Sequence, residues 1–75
     1  MSEKTETFIV EDMHCNACVN TITKTLTNNQ YISSVECDLE SKEVKVTYDD
    51  EHIDVEEIIS LFDMIGFPAE VKKKQ

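Results

Sequence analysis

Two hydrophobic periods alternate along the chain and mark out its elements. Phe8 and Val10, with Ile9 between them, fit a short strand that puts Phe8 and Val10 on one face. A loop carrying Met13-His14-Cys15-Asn16-Ala17-Cys18 follows. The next stretch supports either period: Val19, Ile22 and Leu26 fall at helical spacing, yet Thr21, Thr23, Thr25 and Thr27 alternate with Ile22, Lys24 and Leu26 as in a strand. Threonine is also a mediocre helix former, because its branched Cβ restricts χ1. After Asn28-Asn29-Gln30, where either asparagine can take the left-handed conformation that ends a helix, Val35, Cys37 and Leu39 alternate with Glu36, Asp38 and Glu40. Ser41-Lys42 makes a turn, and Val44, Val46 and Tyr48 repeat the alternation against Glu43, Lys45 and Thr47, which predicts a hairpin of half-buried strands. The clearest helix comes next. Asp54 can cap it with Glu57 as reciprocal partner, and Val55, Ile58, Ile59, Phe62 and Ile65 lie on one face. Gly66 stops it. Ala69 and Val71 fit a brief last strand before Lys72-Lys73-Lys74-Gln75, a tail expected to fray.

Local propensity leaves the threonine-rich stretch undecided, but the rest of the chain favours a helix there. The order is then β-α-β-β-α-β, two βαβ halves of similar length. Right-handed crossovers place both helices on one face of a four-stranded antiparallel sheet, with the first and third strands in the middle. A strand in that position leaves the apolar second helix a poorly balanced sheet to cover. The predicted class is α+β.

Length and charge narrow the function. Seventy-five residues make one domain, read as residues 1–75 with an ordered core of about 5–72. A chain of this size buries only about 60% of the surface its unfolded form exposes, so function is expected near the surface rather than in a walled cleft. Sixteen acidic residues against seven lysines give a net charge of −9. That balance excludes nucleic acid and disfavours anionic membranes, both of which select Lys and Arg. Nothing approaches the roughly 18 apolar residues of a membrane span, and no basic, apolar leader opens the sequence, so the expected location is cytoplasmic without membrane insertion. In a reducing compartment, three cysteines point to metal or redox chemistry rather than a disulfide framework.

Cys15 and Cys18 are the chemical centre. A C-x-x-C spacing brings two sulfurs close enough to chelate one soft ion or to form a disulfide. With Cys18 in the first turn of a helix, free backbone N–H groups and the helix dipole favour thiolates. A closed zinc site wants four ligands, and there is no second cysteine pair and no H-x₃₋₅-H. Two thiolates suit a soft, closed-shell cation such as Cu(I), and an incomplete shell allows an incoming thiolate to take the ion.

Met13 to Cys18 (M-H-C-N-A-C), the strand Phe8-x-Val10 before it, Val35 to Leu39 (V-E-C-D-L), Val44 to Asp49 (V-K-V-T-Y-D) and Ile65 to Val71 (I-G-F-P-A-E-V) together resemble the heavy-metal-associated domain family. The resemblance covers roughly residues 7 to 72, and within the family the chain is most similar to bacterial copper chaperones of the CopZ type. It implies a ferredoxin-like βαββαβ fold that carries Cu(I) on Cys15 and Cys18. Delivery would be to a related domain of a copper-transporting P-type ATPase, or to a copper-responsive regulator, with no catalysis. Met13 would point inward as the loop anchor and Phe67 would lie beside the metal loop. Two positions depart from the family pattern: Asp12 stands where many members have Gly, and Phe67 where bacterial chaperones often carry Tyr. The second keeps open an excised amino-terminal domain of a copper ATPase. A dithiol oxidoreductase is the enzyme alternative.

The remaining residues have plainer readings. Cys37 is expected in the core as a small hydrophobe. His14 could offer imidazole to a third coordination position, although neighbours in an extended loop point apart and solvent is the expected surrounding. His52 and Met64 are expected at the surface, and Phe67 could shield a thiolate centre from water. From Met13 to Ser34 the only full charge is Lys24, which predicts a nearly uncharged docking face ringed by Glu11, Asp12 and Asp63. The expected state is a monomer, with two copies able to share copper through bridging sulfurs.

Overall fold

The structure is a computed structural model that describes residues 3–72. The elements run β1 (Glu3–Ile9), α1 (Asn16–Thr27), β2 (Ile32–Asp38), β3 (Glu43–Asp49), α2 (Val55–Met64) and β4 (Glu70–Val71). The sheet order is β2-β3-β1-β4 with every neighbouring pair antiparallel, so β1 and β3 are central. This is the ferredoxin-like α+β arrangement expected from the sequence. Lys72, expected to fray with the tail, is held instead, because its amide donates to the Thr7 carbonyl at 2.8 Å and its ammonium pairs with Glu43; residues 73–75 lie outside the described residues. Among the described residues, no helix is long and apolar enough to cross a membrane.

One face of the sheet holds the core. In register, Phe8 of β1 faces Val44 of β3, and Val44 faces Cys37 of β2. Phe8, Val44, Val46 and Tyr48 are buried there under Ile22 and Leu26 of α1 and Ile58 and Phe62 of α2. The Phe8 and Phe62 rings meet at 5.5 Å with a 49° tilt, a favourable aromatic geometry. The other face is polar. It carries Thr5 opposite Thr47, their hydroxyls 3.0 Å apart, and Thr7 opposite Lys45.

The threonine-rich segment is a helix because Ile22 and Leu26 lie one turn apart and both reach the core. Its threonines find local uses that a strand would not give them. Thr27 Oγ1 donates to the Thr23 carbonyl at 2.7 Å, and Thr23 Oγ1 lies 3.7 Å from Cys37 Sγ. The helix does not end in a left-handed asparagine. Asn28 is right-handed (φ −70°, ψ −15°), and Asn29 closes the exit by accepting the Tyr31 amide on Oδ1 at 2.8 Å. Left-handed backbone falls instead at Lys42 (φ 61°), in the β2–β3 turn, and at Gly66 (φ 81°).

At the end of α2 the Gly66 amide donates to the Asp63 carbonyl and the Phe67 amide to the Phe62 carbonyl, the paired bonds of a Schellman cap. At its start Asp54 Oδ1 accepts the Glu57 amide at 3.0 Å. β1 is longer than its apolar pattern indicates, because Glu3 to Thr7 pair along β3 from Asp49 to Lys45. Backbone pairing with a central strand recruits residues whose side chains carry no hydrophobic signal.

Candidate metal centre

The loop between β1 and α1 is tied down before it reaches the cysteines. The Val10 amide donates to the Lys42 carbonyl at 2.9 Å, and the Met13 amide to the Val10 carbonyl at 3.2 Å. Met13 itself is fully buried, sharing the core with Phe8 and Val10. Its side chain therefore points away from the surface on which the sulfurs sit.

Cys15 is the N-cap of α1, with extended backbone (φ −146°, ψ 170°) and no hydrogen bond from its side chain to the helix. The thiol is thus not spent on capping and is exposed. Cys18, one turn into the helix, is half-buried. Their Sγ atoms lie 3.5 Å apart, well beyond the roughly 2.05 Å of a disulfide. Two sulfurs bound to one tetrahedral ion at about 2.3 Å sit about 3.8 Å apart, and about 4.6 Å apart across a linear ion. Either arrangement needs an opening of only about 0.3 to 1 Å, within reach of a χ1 adjustment at exposed Cys15.

The surroundings favour thiolate. Hydrogen bonding from the backbone at His14 holds the Cys18 thiol below its ordinary pKa, helped by the Cys15 side chain and opposed by partial desolvation and Asp12. The first turn of α1 contains no acidic residue, so Asp12 in the preceding loop is the carboxylate that opposes the positive end of its dipole at Cys18. Among the described residues no three His, Cys, Asp or Glu side chains converge to hold an ion. What this loop can offer a soft cation is two sulfurs.

The other singled-out residues sit in different surroundings. His14 is exposed, with Nδ1 2.9 Å from Lys42 Nζ. Phe67, the residue after the left-handed Gly66, is half-buried against the core cluster that includes Met13. Met64 is 77% exposed. Cys37 is half-buried beside Thr23, and burial pushes its thiol pKa up. Lys42 is the residue that sequence reasoning missed at the loop: it reads as turn material, yet its Nζ also donates to the Met13 carbonyl at 3.2 Å.

Comparison with known proteins identifies the family. Residues 7–68 match the model of the heavy-metal-associated domain. The mercuric transport protein periplasmic component of Serratia marcescens is 33% identical over 70 residues, 93% of this chain and 77% of that one. Oxidized MerP from Ralstonia metallidurans CH34 superposes with a TM-score of 0.90 at 29% identity, covering 96% of this chain and all of its own. The CopZ metallochaperone gives 0.85 at 27% identity, over 89% of this chain and 100% of that one. Copper-transporting ATPases match through short segments, mouse ATPase 1 being 40% identical over 47 residues, 63% of this chain and 3% of that protein. The chain belongs to the heavy-metal-associated domain family.

Proposed function

We propose that this chain is a Cu(I) carrier that holds the ion on Cys15 and Cys18 and passes it to a partner by ligand exchange. The observation that carries the reading is the pair itself: two thiols 3.5 Å apart, one of them exposed, at a helix N-terminus whose first turn carries no acidic residue. A soft monovalent ion is satisfied by two thiolates, whereas Zn(II) in a closed site wants four donors. The likeness to CopZ supports the same reading.

Transfer then proceeds without redox change. A partner thiol gives up its proton and bonds to Cu(I) on its open side, the bond from Cys15 or Cys18 breaks, and the released sulfur takes up a proton. A second exchange completes delivery. The partner class is a copper-transporting P-type ATPase or a copper-responsive regulator, and the chain acts as a binding protein without turnover. The reading puts the carrier in the cytosol, where thiols are kept reduced and Cys15 and Cys18 stay available. The match to mouse ATPase 1 supports the neighbouring reading of an ATPase's own metal-binding domain, in which the cysteines keep the same role.

The test is a Cu(I) competition against a chromogenic chelator. Cys15→Ser and Cys18→Ser each abolish tight binding, while Cys37→Ser leaves it within about twofold, since Cys37 faces Thr23 rather than the loop. Equal loss in Cys37→Ser would sink the assignment. The relation to a mercuric transport protein makes Hg(II) the second candidate cargo. Direct Hg(II) against Cu(I) competition at equal glutathione decides between the two.

A further inference from the structure

Lys42 and the metal loop are far apart in sequence but meet at the surface. The lysine precedes β3 and is half-buried. It is the one non-glycine residue with a left-handed φ among those described, a conformation a side-chain-bearing residue adopts only under constraint from its surroundings. The constraints are visible: its carbonyl accepts from Val10 at 2.9 Å, and its ammonium reaches Met13 O at 3.2 Å and His14 Nδ1 at 2.9 Å. One residue thus grips the loop on both sides of the Met13–His14 junction.

The His14 contact has a fixed polarity. An ammonium has donors and no lone pair, so at 2.9 Å it can only donate to Nδ1. Nδ1 is therefore the unprotonated nitrogen, and the ring proton sits on Nε2. A metal-binding histidine has the opposite arrangement, in which the nitrogen away from the metal donates its N–H to an acceptor and the other keeps a free lone pair. Here one lone pair is engaged and the other nitrogen carries hydrogen. Ligation through Nε2 requires moving the proton onto Nδ1, against the ammonium. Ligation through Nδ1 requires breaking the Lys42 contact.

We propose that Lys42 is a specificity-determining positioning residue: by holding the Met13 carbonyl and the His14 ring it withholds the imidazole from the metal and keeps the site to two sulfurs. The inference rests on Cys15 and Cys18 being the ligands. Its consequence is discrimination against ions that want a further nitrogen donor, Zn(II) foremost.

Two measurements test it. In the metal-free wild type, long-range ¹H–¹⁵N correlation of His14 at pH 8 shows protonated Nε2 and unprotonated Nδ1; a dominant Nδ1–H tautomer overturns the proposal whatever the variants do. In Zn(II) titrations against a competing chelator, Lys42→Met raises Zn(II) affinity about tenfold. Adding His14→Gln returns it to the wild-type value. A rise below about threefold in Lys42→Met, or a rise that survives His14→Gln, overturns the proposal. Cu(I) binding by the Cys15→Ser protein is scored separately, so failure of the cysteine assignment is not mistaken for failure of the Lys42 role.

Discussion

Met13 offers the sharpest test of how the loop is held. It is fully buried, and Met13→Ala takes away Cγ, Sδ and Cε. At about 0.8 kcal/mol per methylene-sized group, the lost transfer energy is about 2 kcal/mol. An unrelaxed cavity adds about 24 cal/mol per Å³, up to about 1.5 kcal/mol, and a loop residue allows some collapse. The expected cost is about 2 to 4 kcal/mol, read as a fall of about 10 to 25 °C in the Tm of the metal-free protein. Met13→Leu keeps the volume and costs under about 1.5 kcal/mol. The pair of variants separates anchoring from ligation. If Met13 anchors, Cu(I) affinity follows stability: it is retained in Met13→Leu and weakened in Met13→Ala as the loop loosens. Loss of Cu(I) binding in Met13→Leu with its Tm intact makes the thioether a ligand, and the inward-anchor argument is wrong. An unchanged Tm in Met13→Ala refutes the burial reasoning itself.

Three further outcomes follow from the cysteines and the helix cap. In the native, metal-free protein at pH 7, iodoacetamide modifies Cys18 well before Cys37: the first thiol is lowered by the backbone at His14 and the second raised by burial. Peptide mass spectrometry reads the order, and faster labelling at Cys37 contradicts it. The Cys37 shift also has a sign for stability. A raised folded pKa leaves its contribution intact below the ordinary thiol range and removes it as pH climbs through the folded value, so Cys37→Ala flattens the alkaline limb of a stability profile. Gly66→Ala costs about 1 kcal/mol, because φ is +81° while a Cβ there would meet nothing within 4 Å. Chemical denaturation checks it; a cost above about 3 kcal/mol would mean that the cap is not the only thing disturbed.

Much of the fold is legible in the sequence because three of its elements state their period without ambiguity. The β2–β3 hairpin alternates from Val35 to Leu39 and from Val44 to Tyr48, and α2 carries an acidic cap, an apolar stripe and a glycine stop. The α1 segment is different: its threonines fit both periods, and only the demand for a balanced βαββαβ sheet makes it a helix. Pairing explains what was not legible. Residues Glu3 to Thr7 join β1 through backbone bonds to β3, and Tyr31 stacks on His52 at 4.7 Å although 20 residues intervene in the chain. At the site, Cys15 and Cys18 are readable because a separation of three places them on one helical turn. Lys42 is not, because its contacts with Met13 and His14 exist only once the turn preceding β3 is laid beside the end of β1.

On the proposed reading, holding an ion and releasing it make opposing demands on a small domain, and the loop meets them with different residues. Retention needs the two sulfurs presented at a fixed spacing. That order comes from the core side: the Met13 side chain, the Val10 amide on Lys42, and the turn of α1 that sets Cys18 above Cys15. Release needs an open approach, and the exposed N-cap thiol provides it, because the incoming sulfur can bind before the outgoing one leaves. A third donor would strengthen retention and close that approach. Lys42 therefore bears on rate as well as selectivity: by engaging His14 Nδ1 it keeps the coordination shell incomplete, and an incomplete shell is what associative exchange requires.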